Sequence, residues 1–226
     1  MIWEITLIGL LAGVVGTGLG GLLASIFKKG VERYISFFMG LSGGVMLAVV
    51  VFDLMPEAME KIGTIETVIA AFAGALITML MKNKLDFRGN MASGYLIFVS
   101  ILFHNLPEGL AIGSSFMSAK ELGVAIAIII GIHNVPEGLA MALGMVCNKM
   151  SMRKVLFLTM IAGVPMGIGS FFGACFGAAF TPLIGIFLAI AAGTMLYVVI
   201  EELFPASKSM YSIFGILIGT IIVKFI

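Results

Sequence analysis

The residues best suited to chemistry stand in two short copies. Residues 104–111 read HNLPEGLA and residues 133–140 read HNVPEGLA, seven identities in eight, and together they hold both histidines of the chain. Each histidine is followed by an asparagine and, four residues later, by a glutamate. On a helix, positions i, i+3 and i+4 share a face, so His104, Asn105 and Glu108 can converge, as can His133, Asn134 and Glu137. Imidazole nitrogen with carboxylate and amide oxygen suits borderline divalent transition metals, with zinc, iron, manganese and cadmium all in range. Sodium would not need histidine, and copper(I) would prefer sulfur. Pro107 and Pro136 cannot donate to the carbonyls of Phe103 and Ile132, so each motif is expected to kink its helix and free a carbonyl. Gly109 and Gly138 keep the region narrow for a neighbouring backbone or a passing ion.

The elements that must position these residues are membrane spans. Of the 226 residues, 61% are apolar and only 11% charged, against about 25% charged in an ordinary globular domain. A bilayer core about 30 Å thick needs about 20 mostly apolar residues as a helix. Eight such runs are expected, near 3–27, 34–56, 63–81, 92–117, 121–147, 154–179, 183–204 and 210–226, joined by short connectors into one transmembrane domain covering 1–226. The first run has no basic segment before it and is read as a retained span, not a cleaved signal. Of the thirteen Lys and Arg, ten fall after odd-numbered spans: Lys28, Lys29, Arg33, Lys82, Lys84, Arg88, Lys149, Arg153, Lys154 and Lys208. Basic loops stay in the cytosol, so both termini are expected outside, with span four running outward and span five inward.

Burial makes the motifs more than helix packing. A charge in mid-span costs roughly 2.5–3.5 kcal/mol on insertion scales, and no Lys or Arg lies mid-span to compensate Glu108 and Glu137. The counter-charge must be a proton or a bound cation, and two glutamates neutralise one divalent ion. Asp53, Glu57, Glu201 and Glu202 stand near span ends, where water solvates them; Asp53, Glu201 and Glu202 are kept as secondary candidates for a transport pathway. The seventeen methionines are scattered, as packing residues are. Cys147 and Cys175 have no CxxC spacing, and a net charge of +1 without a basic cluster excludes nucleic acid as a partner.

A second, longer repeat is architectural. SGGVMLAVVVFDLMPEA from Ser42 aligns without gaps to AAGTMLYVVIEELFPAS from Ala191, with seven identities in seventeen and Asp53 opposite Glu202. The AGV triplets at Ala12 and Ala162 keep nearly the same offset. Spans one to three are therefore expected to recur inverted as six to eight, giving an all-α, polytopic 3+2+3 arrangement, and inverted repeats are a mark of secondary transporters. Glycine-rich faces are expected to let helix groups slide.

LFHNLPEGLAIG from Leu102, HNVPEGLAMAL from His133, FDLMPEA from Phe52 and AAGTMLYVVIEELFP from Ala191 together resemble the ZIP (ZRT/IRT-like) metal transporter family, in particular its GufA-like branch. The resemblance implies uptake of divalent metal into the cytosol across the cell membrane through an eight-helix fold, often a homodimer, with metal as cargo and no catalytic cofactor. Its ligands would be His104, Asn105 and Glu108 from span four and His133, Asn134 and Glu137 from span five, the six that spacing had selected. Members with two metals can carry aspartate where Asn134 stands and glutamate where Val164 precedes Pro165, so one well-occupied site is expected. The stretch Lys82 to Asn90 lacks the histidines that many relatives carry there. The rival readings are an intramembrane zinc-dependent hydrolase, which lacks HExxH and an additional base, and a protein in which the polar pair only locks two helices.

Overall fold

The computed structural model describes the backbone of residues 1–26, 31–84, 91–176 and 181–225. Lys28, Lys29 and Arg88 of the basic loops lie outside the described residues. Within them the fold is all-helical: α1 (Ile2–Ile26), α2 (Val31–Val49), α3 (Met55–Ile62), α4 (Thr64–Lys84), α5 (Met91–Ser118), α6 (Lys120–Cys147), α7 (Met152–Ala162), α8 (Val164–Phe176), α9 (Thr181–Val198) and α10 (Ser209–Phe225). Among the described residues, seven helical stretches are long and apolar enough to cross a membrane, and Ser209–Ile221 is a shorter apolar helix. The protein is a multi-pass membrane protein. Apolar runs of this length become helices because, without water, every backbone N–H and C=O must be satisfied inside the segment.

The helix boundaries have local causes. Gly63, with φ 88°, separates α3 from α4 in a conformation that a side chain would strain. After α6, Asn148 Nδ2 donates back to Gly144 O at 2.6 Å, and the chain turns through Lys149 at φ 60°.

Two departures from the expected spans matter for function. The second stretch does not end near residue 56 but continues to Ile62, and it does so through a π-helical turn over Val50–Leu54. A matching π-helical turn, Val199–Leu203, follows α9 at the same 149-residue offset as the sequence repeat. Met55 N donates to Val50 O in the first turn, and Phe204 N donates to Val199 O in the second. Pro56 and Pro205 follow each turn; their rings and missing N–H groups disrupt the i→i−4 ladder, which opens by one residue. The sixth expected span is broken at Gly163 into α7 and α8, where Met166 N donates to Gly163 O at 3.2 Å.

The helices pack as two groups. α1, α5, α6, α7 and α8 form the first, and α2, α3, α4, α9 and α10 the second; the groups meet chiefly where α5 lies on α9 and α2 on α6. The pairings within them are reciprocal in the way an inverted repeat requires: α1 packs on α6 as α8 packs on α5, and α2 on α10 as α9 on α4. Gly13 and Gly163, the repeat-related glycines of α1 and the α7–α8 break, face each other with no room for a methyl between them.

Glycine placement corrects the sliding role expected from sequence. Each described glycine whose Cβ direction meets another helix meets one of its own group: Gly138 the carbonyl of Thr17, Gly109 that of Met166, Gly44 the backbone at Gly215, Gly193 the carbonyl of Ala71. Small residues here hold each group together by close backbone approach. Across the seam the contact is made by side chains of one apolar cluster, including Met46, Leu188 and Met195 of the second group and Ile101, Leu139 and Leu143 of the first.

The glycine contacts are testable by pairwise comparison. Gly138→Ala drives a methyl into the Thr17 carbonyl, and overpacking of this kind costs about 1–3 kcal/mol. At Gly131 the nearest atom to an added Cβ is Ala12 Cα at 3.7 Å, an ordinary contact. Thermal melting in detergent should therefore fall for Gly138→Ala and stay level or rise for Gly131→Ala.

Candidate metal centre

α5 and α6 pass each other inside the first group, and each runs as a continuous α-helix through its proline, Pro107 or Pro136. The single helical turn between His and Glu puts both polar side chains of each motif on the face toward the other helix. His104, Asn105, Glu108, His133, Asn134 and Glu137 are all buried, none more than 3% exposed.

The pairing is crossed between helices. His104 Nε2 lies 2.9 Å from Glu137 Oε2, and His133 Nε2 lies 3.1 Å from Glu108 Oε1. Each carboxylate is thus met by the imidazole of the other helix, and no Lys or Arg among the described residues takes part. One ligand atom each from His104, Glu108 and Glu137 lie within 4.8 Å of one another. His133 joins this cluster through Glu108.

The two asparagines use their amide nitrogens elsewhere. Asn105 Nδ2 donates to Ala162 O at 2.7 Å, the carbonyl that the break at Gly163 takes out of regular helix. Asn134 Nδ2 points to the thioether of Met166 at 3.7 Å, and its Cβ rests against Gly16 of α1, where a methyl would displace it. Both amide oxygens remain buried without a partner. The same holds for His104 Nδ1, Glu108 Oε2, His133 Nδ1 and Glu137 Oε1, so every one of the six side chains keeps one buried polar atom unsatisfied. Such atoms are rare in native interiors and call for an explanation; six on one cluster of nitrogen and oxygen donors is a cluster equipped to take a cation.

The secondary candidates lie on the second group, at its two ends. Asp53, half-buried in the first π-helical turn, lines a cavity of about 120 Å³ together with Glu57, Glu108 and His133. Glu57 pairs with Lys61 at 3.3 Å. Glu202, in the second π-helical turn, lines a different cavity of about 190 Å³ with Met39, Gly144, Cys147 and Asn148, and none of the six cluster residues reaches it. Lys82 Nζ sits 2.7 Å from Glu202 Oε1 and 3.6 Å from Glu201 Oε2. Sequence reading counted Lys82 only as a loop charge; its proximity in space to two glutamates 120 residues further on is visible only in the packing of α4 on α9. Met166 was likewise missed, since nothing in its local sequence separates it from the other methionines.

A multi-pass helical bundle with a buried, partly unsatisfied His/Asn/Glu cluster and a cavity at either end of its seam has the architecture of a membrane transporter. Comparison with known sequences agrees. The sequence model described as ZIP Zinc transporter matches residues 80–226. The chain is similar to the zinc transporter ZupT of Chlorobium chlorochromatii, 30% identical with 94% of this chain and 92% of that protein covered. It is equally similar to ZupT of Akkermansia muciniphila, 30% identical over 96% and 93%. A zinc transporter GufA from Myxococcus xanthus is 39% identical over 51% of this chain and 46% of its own. The chain belongs to the ZIP zinc transporter family, a family of transporters and not of enzymes.

The crossed pairs make a stability prediction. Removing one partner of a buried pair costs about 3–5 kcal/mol because the other is stranded, whereas replacing both with apolar residues is often neutral. His104→Leu should lower the melting temperature clearly in the absence of metal, and His104→Leu with Glu137→Met should recover most of the loss.

Proposed function

We propose that this protein carries zinc across the cell membrane into the cytosol, with iron, manganese or cadmium as further cargo. The ion is held by His104, Asn105, Glu108, His133, Asn134 and Glu137 between α5 and α6. The observation that carries the reading is the unsatisfied buried atom on each of those six side chains. The names of the similar zinc transporters support zinc as the cargo. Family membership leaves the intramembrane hydrolase without support.

The proposed topology is eight spans in a 3+2+3 order with both termini extracytoplasmic, supported by the distribution of Lys and Arg and by the matched π-helical turns. A homodimer is the proposed assembly, on the resemblance alone. In this orientation the Asp53 cavity opens outward and the Glu202 cavity inward. All six ligands belong to the first helix group, while Asp53 and Glu202 belong to the second. Movement of the first group against the second would take the loaded cluster from the Asp53 wall to the Glu202 wall. The seam between them is packed by one large apolar cluster, whose contacts are not directional, so they can re-form as it shifts. Asp53, Glu201 and Glu202 serve as pathway residues, meeting the ion before and after the cluster. One ion per cluster is proposed, because Asn134 and Val164 stand where a second metal would want carboxylates.

Zinc-65 uptake into proteoliposomes tests this directly. The wild type should show saturable uptake, competed by cadmium, iron and manganese more than by calcium, which prefers an all-oxygen shell. His104→Ala with Glu137→Ala should abolish it. Saturable uptake that survives in the double variant, with zinc binding unchanged, would remove the cluster from the pathway.

Proton competition gives a second expectation. Zinc ligands bind metal in their deprotonated forms and release protons as they do so. Lowering the pH outside therefore favours the protonated, metal-free cluster, and initial uptake should fall steadily from pH 8 to pH 5. A flat profile across that range would sink the coupling while leaving transport itself intact.

A further inference from the structure

The two π-helical turns carry repeat-related acids, yet each is given a different electrostatic setting. Lys61, at the Asp53 end, pairs with Glu57, one turn beyond the acid nearest the cluster. Asp53 itself makes no ion pair among the described residues, and it shares its cavity with Glu108 and His133. At the other end the lysine is placed on the inner acid. Lys82 is closest to Glu202, whose side chain is only 8% exposed, and weaker toward Glu201, which is 50% exposed and faces water. Among the described residues, the acid that shares the cluster's cavity, Asp53, has no lysine paired to it, whereas its repeat counterpart Glu202 does.

Resting on the transport reading above, we propose that Lys82 is a resident counter-ion that occupies Glu202 and keeps the inner wall from retaining the ion it has just received. A bare carboxylate on the wall of the cavity it shares with Cys147 and Asn148 would bind a departing divalent cation and slow its exit. A tethered ammonium competes for that carboxylate at every moment, because it is part of the same chain and cannot diffuse away. Three partners hold it: Glu202, Glu201 and the ring of Tyr197, whose centroid is 5.7 Å from Nζ. The contact does not act as a gate across the seam. α4 and α9 belong to the same helix group and are joined by close backbone approach at Gly74 on Ile190 and Gly193 on Ala71, so the pair stays together as the groups shift. Lys82 sets the charge of a fixed wall. The bare Asp53 and the masked Glu202 give the passage a capturing mouth and a releasing one, and the inverted repeat by itself would make the two alike.

Equilibrium zinc-65 binding to the purified full-length protein in nanodiscs, with proteoliposome uptake against zinc loaded in the lumen, tests the assignment. Lys82→Met and Lys82→Gln should each bind additional zinc, and uptake should become about fivefold more sensitive to lumenal zinc, the scale of losing one partly exposed ion pair. Lys82→Arg, which keeps the charge, should restore the wild-type count. Adding Glu202→Gln to Lys82→Gln should cancel the gain, assigning it to that carboxylate. Two monodisperse neutral variants with unchanged zinc binding would overturn the role. Should the wild type bind zinc but carry none, the transport reading fails alone, and the binding count still decides whether Lys82 masks a cation site.

Discussion

Two carboxylates lie in the interior of membrane helices without a lysine or arginine to balance them, and much of this structure follows from how they are accommodated. Intrahelical pairing of each histidine with its own glutamate would leave α5 and α6 independent. The crossed arrangement, His104 to Glu137 and His133 to Glu108, makes each helix the solution to the other's burial problem. It also satisfies only one oxygen of each carboxylate, leaving Glu108 Oε2 and Glu137 Oε1 buried without a partner. A fully satisfied network would be a structural element only; this one keeps buried polar atoms without partners.

Keeping those pairs at hydrogen-bond distance requires α5 and α6 to be placed rigidly, and glycine does this. Gly109 and Gly138 follow the two glutamates, and each lets a neighbouring backbone, that of α8 or α1, come close behind the cluster. Without water, there is little hydrophobic force to pull helices together in a membrane, and close packing with lipid-excluded backbone contact takes its place. The α7–α8 break belongs to the same support: it is where Gly163 meets Gly13 and where the Ala162 carbonyl turns to Asn105. The seam between the two groups is made differently, from flexible and branched apolar side chains, several of them methionine, which tolerate changes of register. Rigid within and adaptable between is what a protein needs if one group carries an ion past the other.

The second group supplies walls. Its two π-helical turns place Asp53 and Glu202 at opposite ends of the seam, and each occurs just before a proline that forbids the regular ladder. π-helical turns are frequent at functional sites, and here a pair of them is generated by one repeated sequence feature. Symmetry makes the two ends alike in backbone, while the lysines, which are not repeat-related, make them unlike in charge.

Much of this was legible without coordinates. The paired HNxPEG motifs announce the cluster because helical periodicity alone decides that His, Asn and Glu at that spacing share a face, and apolar run length decides that the face is in a membrane. The repeat offset is likewise a property of the chain, and the two π-helical turns prove to stand at that offset. What sequence could not decide is which residues meet across helices. The crossed pairing, the use of the asparagine amides on Ala162 and Met166, and the masking of Glu202 by Lys82 depend on helix rotation and relative depth, which are set by packing between segments far apart in the chain. The role of glycine turned on the same distinction: a small residue permits close approach, but only the tertiary structure says to which neighbour, and so whether it joins two helices or lets them part.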